Sequence, residues 1–233
     1  MSEIIPAILP KNYEDLKNKI ALVRGLVPLV QVDICDGVFV KNTTWPFVGG
    51  DFDPHFKSIL NEAEGLPFWE DLDFELDLMV HDAVQNFDLY TKLGPRRIIF
   101  HIEAEEIQRD LEEFKNFLEG IDSYARDVIE IGIAINQSTE VEKIFPLVNS
   151  VDFVQVMGIA NIGFQGEEFD EACLEQIKNL KEKFSGVIIS VDGGVNMKSA
   201  TKLVDAGVDR LVIGSAIFNT DDIINTIEEF KQI

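Results

Sequence analysis

Eight short runs rich in valine and isoleucine recur along the chain, at residues 4–9, 29–35, 74–80, 97–103, 128–136, 153–159, 187–192 and 210–217. Segments of helical periodicity separate them, among them 13–23, 105–118, 170–184, 198–206 and 221–230, with charged residues facing away from an apolar stripe. Strands buried on both faces read as continuous apolar runs, and parallel strands need helical crossovers. Eight such units in 233 residues predict a closed (β/α)8 TIM barrel. No G-x-G-x-x-G follows the first run to favour an open doubly wound sheet. Barrels of this kind commonly take ~250 residues, so residues 1–233 are expected to form a single domain.

Acidic residues number 42 against 20 lysines and arginines, a formal charge of −22. Such a chain repels nucleic acid and anionic membrane surfaces, and neither is expected as a partner. Any phosphate group must be held by local backbone N–H groups rather than by long-range attraction. The two cysteines, Cys35 and Cys173, suit a reducing compartment without a disulfide. Pro6 interrupts the first apolar run and no basic stretch precedes it, so no signal peptide or membrane span is expected, and a cytoplasmic location is.

Side chains alternate across a strand. Gln31, Asp33 and Cys35 therefore share one face, Val32 and Ile34 the other; the same rule groups Glu75 with Asp77 and Met79, His101 with Glu103, Gln155 with Met157, and Ser190 with Asp192. These polar sets should face the barrel interior near its C-terminal end, where such barrels carry their sites. Three glycine turns belong to the same end: Gly163, Phe164, Gln165 and Gly166; Gly193 and Gly194; Gly214 and Ser215. Their backbone amides can cradle a phosphate, the last two turns leading into helix N-termini. The irregular stretch 37–53 is the longest loop, and reads as a substrate lid or as an ordinary surface loop.

Seven segments now point to a family. PAIL (6–9), VDICDGVFVKN (32–42), LDLMV (76–80), HIEA (101–104), GIAIN (132–136), VDGGVN (191–196) and GSAIF (214–218) occur in order along nearly the whole chain. Together they resemble the ribulose-phosphate 3-epimerases. The resemblance implies a TIM barrel, usually assembled as a homo-oligomer, that interconverts D-ribulose 5-phosphate and D-xylulose 5-phosphate. It also implies a divalent metal among two histidines and two aspartates, the aspartates acting as acid and base; these map onto Asp33 and Asp192. Gln31 and Asp77 stand where the histidines belong. The serine of P-S-I-L is Ala7, the methionine of V-M-D-G is Cys35, and N-P-G-F-G-G is altered to Asn161-Ile162-Gly163-Phe164-Gln165-Gly166.

Epimerisation beside a carbonyl needs a base on one face of the sugar and an acid on the other, roles assigned to Asp33 and Asp192. Three carboxylates ~4 Å apart at an effective dielectric of ~20 repel by about 4 kcal/mol per pair. No histidine or lysine stands at the matching positions to balance them. Gln31, Asp33, Asp77 and Asp192 are therefore expected to form an all-oxygen site for Mg²⁺ or Mn²⁺ rather than Zn²⁺; the alternative is no metal and a protonated aspartate. Ala7, Cys35, Met79, His101 and Met157 are expected to wall the pocket, His101 either touching substrate or hydrogen-bonded to Glu103. His55 and His81 read as surface residues. Epimerisation of another ketose phosphate, such as allulose 6-phosphate, and non-catalytic binding of a sugar phosphate remain open. A magnesium-dependent lyase is disfavoured, because Met79 stands where its D-x-K-x-x-D run needs lysine.

Overall fold

A computed structural model of the chain describes residues 2–50 and 52–233. Strands β1 (Glu3–Ile8), β2 (Leu29–Cys35), β3 (Asp73–Met79), β4 (Arg97–His101), β5 (Glu130–Ile135), β6 (Phe153–Met157), β7 (Ile188–Asp192) and β8 (Arg210–Ile213) run in sequence order. All neighbouring pairs are parallel, and β8 closes on β1. This is a TIM barrel.

Outward residues such as Val32, Ile34, Leu76, Leu78, Ile98, Phe100, Ile131 and Ile133 are buried beneath a ring of helices. The ring comprises α1 (Tyr13–Val23), α2 (Pro54–Leu60), α3 (Phe87–Thr91), α4 (Glu105–Arg109), α5 (Leu111–Gly120), α6 (Ser123–Val128), α7 (Cys173–Lys183), α8 (Met197–Asp205), α9 (Ser215–Phe218) and α10 (Ile223–Lys231). Leu16 and Ile20 of α1, Ile177 and Leu180 of α7, Leu203 of α8 and Ile227 of α10 join the same core. Among the described residues, no helix is long and apolar enough to cross a membrane.

Several boundaries differ from the sequence reading. The helical stretch 105–118 is two helices, because Asp110 adopts an extended φ of −151° and its carboxylate accepts from the Glu113 amide, capping α5. Residues 215–217 are helical rather than strand: Gly214 leaves the strand region at φ −92°, ψ −93° and opens the turn of α9. Val128 ends α6, whose first turn is capped by the Asp122 carboxylate, so β5 starts at Glu130.

Glu75 also sits elsewhere than expected. It faces the interior at the N-terminal floor rather than the mouth, in a network that holds Arg97 and Arg210. Arg97 reaches Glu3 at 3.0 Å, Glu130 at 3.1 Å and Glu75 at 3.5 Å, and Arg210 reaches Glu130 at 2.9 Å and Glu3 at 3.3 Å. Burial pushes the Glu75 carboxyl up to about 8 against the pull of Arg97 and Arg210. Between its ordinary value of 4.5 and that point the folded chain holds a proton that the unfolded chain has lost. Stability must therefore fall as pH rises through this window. Glu75→Gln, which cannot ionise, is expected to make that slope shallower in metal-free protein, as read by denaturant unfolding at stepped pH.

Candidate active site at the mouth of the barrel

Strands β2, β3 and β7 each carry one aspartate to the C-terminal end of the interior. One oxygen from each of Asp33, Asp77 and Asp192 lies within 4.8 Å of the others, and the three are buried or nearly so. Gln31, one pleat below Asp33, bridges two of them: Gln31 Nε2 donates to Asp33 Oδ1 at 2.7 Å and to Asp192 Oδ2 at 2.9 Å. Gln155 Nε2 donates to Asp77 Oδ2 at 3.3 Å.

A basic residue does meet these carboxylates, contrary to the sequence reading. His101 Nε2 stands 2.7 Å from Asp77 Oδ1, with both side chains free of solvent. His101 does not pair with Glu103, whose Oε1 accepts from the Asn136 amide at 2.8 Å and the Thr139 hydroxyl at 2.7 Å. Alternation put Asp77 and His101 on the interior face, but the stagger that brings them together belongs to the closed barrel.

Burial sets the electrostatics. Desolvation raises the Asp33 carboxyl well above the usual range, and the neighbouring Asp192 and Asp77 raise it further, while the Gln31 hydrogen bond pulls it back. Asp192 is pushed up to about 7 by burial and by Asp77, against the Gln31 hydrogen bond. Burial alone would lower the His101 imidazole, yet the Asp77 carboxylate outweighs it and the net shift is upward. Asp33 and Asp192 thus form a buried pair, linked through one amide, in which neutralising one carboxyl eases ionisation of the other.

Both open onto a cavity walled by Ala7, Met79 and Met157 and ending at Gly163–Glu167, Gly193–Gly194 and Gly214–Ser215. All eight residues expected to hold a phosphate line it. Gln31, Asp77, Cys35 and His101 do not. Cys35 is packed with Met79 and Val40, and burial pushes its thiol up, which disfavours the thiolate. His101 lies behind Asp77, its ring 5.4 Å from that of Phe39. His55 and His81 are on the surface, as expected.

The glycine turns differ from the expected cradle in one respect. Asn196 caps α8 with its own side chain, accepting from the Lys198 and Ser199 amides, so the Gly193–Gly194 turn does not deliver a free helix terminus. Packing also requires these glycines: a Cβ on Gly194, at φ +66°, would come 2.5 Å from the Phe169 Cα. Gln165 folds over the third turn, its Nε2 donating to the Ala7 carbonyl at 3.0 Å and lying 2.6 Å from where a Cβ on Gly214 would be. Glu167 adds a carboxylate to the lining, held by Asn161 Nδ2 at 3.1 Å, which the sequence reading did not include.

The stretch after β2 is tied down over the mouth. Asp36 caps it by accepting from the Val38 and Phe39 amides, and takes the His81 amide and ring nitrogen at 2.8 and 2.7 Å. The Thr44 hydroxyl donates to the Asp33 carbonyl at 2.7 Å, and Asn42 Nδ2 donates to the Gly163 carbonyl at 2.8 Å. Loops 36–45 and 158–170 are therefore joined through Asn42 and Gly163.

The donor set fits a hard divalent cation. Among the described residues, three carboxylate oxygens converge with no thiol or imidazole in the cluster, and the buried Gln31 Oε1 accepts no hydrogen bond.

The chain is similar to known proteins along nearly its whole length. Among curated relatives, a ribulose-phosphate 3-epimerase of Helicobacter pylori (strain ATCC 700392 / 26695) is 30% identical over 99% of this chain and 97% of its own. The ribulose-phosphate 3-epimerase of Bacillus subtilis (strain 168) is 27% identical over 99% of each chain. Among solved structures, KGPDC from Streptococcus mutans superposes with a TM-score of 0.67 at 14% identity, covering 100% of this chain and 96% of its own. A 3-hexulose-6-phosphate synthase does so at 0.63 and 17%, covering 99% and 98%. These last two speak for the fold alone. The profile of the ribulose-phosphate 3 epimerase family matches residues 3–218, from the first strand through the last glycine turn and the helix after it. With that match spanning the whole barrel, the chain belongs to the ribulose-phosphate 3-epimerase family.

Proposed function

We propose that this chain interconverts D-ribulose 5-phosphate and D-xylulose 5-phosphate by proton transfer through an enediolate. The observation that carries the reading is the Asp33–Asp192 pair, both members opening on one cavity and joined through Gln31. One carboxylate takes the proton from the third carbon and the other, still protonated, returns one on the opposite face. A two-base epimerase needs one carboxyl in each state, and burial with mutual repulsion favours that mixed state. An idle site has no use for buried carboxylates that cost desolvation, which argues against a binding protein without activity.

Gln31, Asp33, Asp77 and Asp192 would hold the divalent cation, Mg²⁺ or Mn²⁺, which when bound stabilises negative charge on the enediolate oxygens. Asp77 keeps its orientation through His101 and Gln155. Backbone amides of Gly163–Gly166, Gly193–Gly194 and Gly214, with the Ser215 hydroxyl, would hold the phosphate. Gln165, seated on Gly214, places a side-chain amide beside that cradle. A cytoplasmic homo-oligomer belongs to the same reading.

Two results test it. D-xylulose 5-phosphate should form from D-ribulose 5-phosphate with Mg²⁺ or Mn²⁺; no product with either ion, or with Zn²⁺, would overturn the assignment. The pH profile of kcat/KM should be bell-shaped. At low pH both aspartates are protonated and no base remains; at high pH both are ionised and no acid remains. A profile that rises monotonically with pH would contradict the shared proton.

A further inference from the structure

Two buried oxygens below the carboxylate cluster lack partners, and they belong to adjacent residues of the sheet. Gln31 and Glu75 are registered neighbours on β2 and β3, both without solvent exposure. Among the described residues, neither Gln31 Oε1 nor Glu75 Oε1 accepts a hydrogen bond. The other Glu75 oxygen has only Arg97 Nη1, at 3.5 Å. Leaving such atoms unpaired in a barrel interior is costly, so an arrangement that pairs them has a reason to be populated.

A side-chain amide turned by half a turn about its last torsion exchanges nitrogen and oxygen with almost no change of shape. As seen, Gln31 gives its nitrogen to Asp33 and Asp192 and leaves its oxygen idle. Because the two residues are registered neighbours, the turned amide would direct its nitrogen toward the Glu75 side, where Oε1 lacks a donor. It would also place Gln31 Oε1 among the oxygens of Asp33, Asp77 and Asp192, which only a cation there makes favourable.

We propose that Glu75 is the positioning residue for Gln31: when a divalent cation occupies the cluster, Glu75 accepts Gln31 Nε2 and so holds Gln31 Oε1 on the cation. The assignment rests on the reading that this cluster binds a hard cation. It gives the floor of the barrel a part in the site above it, because the carboxyl group that meets Arg97 also offers an oxygen that orients a metal ligand. Outer carboxylates that orient ligands typically change metal affinity about 10–100-fold when removed.

Titration of isotope-labelled protein with Mg²⁺, followed by NMR of the side-chain amides, tests this without reference to turnover. The Gln31 NH₂ signal should move as Mg²⁺ is added. Glu75→Met should weaken Mg²⁺ binding about 10–100-fold and leave that signal in place. Glu75→Gln, which still offers an acceptor oxygen, should restore binding to within about threefold. Gln31→Met should lose affinity about tenfold or more, and it carries the test if Glu75→Met does not fold. Unchanged Mg²⁺ affinity in Glu75→Met or Gln31→Met, or no binding by the unaltered chain, overturns the assignment. Binding of this kind without turnover of D-ribulose 5-phosphate would remove the reaction and leave the assignment. Turnover in chelated protein that binds no Mg²⁺ would do the reverse.

Discussion

Asp192→Asn is expected to slow epimerisation by ~10²–10⁴-fold while raising the melting temperature of the metal-free protein. The first effect follows from losing a proton donor or acceptor on one face of the sugar. The second follows from the environment of the group. Burial and Asp77 push the Asp192 carboxyl up to about 7, so ionising it in the folded state is unfavourable, and an isosteric neutral side chain is spared that cost. Asp33→Asn should behave alike, since burial and the neighbouring Asp192 and Asp77 raise Asp33. Steady-state kinetics and thermal unfolding on the same samples check both halves. Loss of activity together with loss of stability would mean that these aspartates hold the barrel together rather than carry its chemistry.

His101→Leu is expected to be the most destabilising single change at the site. It leaves Asp77 buried with only Gln155 at 3.3 Å, and removing one partner of a buried pair costs ~3–5 kcal/mol. In a chain of this size that corresponds to a fall in melting temperature of about 10 °C. Mg²⁺ should recover part of the loss, because a cation in the cluster supplies Asp77 with a new partner and binds the folded state alone. Calorimetry with and without Mg²⁺ reads both effects. A variant as stable as the parent in chelator would show that the His101–Asp77 contact does not carry this stability.

These effects trace back unevenly to the sequence. The alternation of apolar runs and helical segments specified the barrel, because closing eight parallel strands is the way to bury that pattern. Strand alternation then put Gln31, Asp33, Asp77 and Asp192 on the interior face, and the barrel brought all four together. Alternation says nothing of height within the barrel, which is why Glu75 was grouped with the mouth although it belongs to the floor. Nor does it give the stagger between strands, so the His101–Asp77 contact was invisible. The seat of Gln165 on Gly214 depends on how loop 158–170 folds back over β1 and β8. Residues 215–217 show the ambiguity of a short apolar run: the same residues would suit a strand, and the backbone at Gly214 decides.

Solvent exchange at the third carbon, followed by proton NMR in D₂O for Asp33→Asn and Asp192→Asn side by side, addresses the central claim most directly. If the two carboxylates serve opposite faces, neither variant epimerises well, yet each retains the base for one face. One variant should then exchange the proton of D-ribulose 5-phosphate and the other that of D-xylulose 5-phosphate. Exchange of the same sugar by both variants, or epimerisation that survives either change, would contradict the assignment of Asp33 and Asp192 as the paired acid and base.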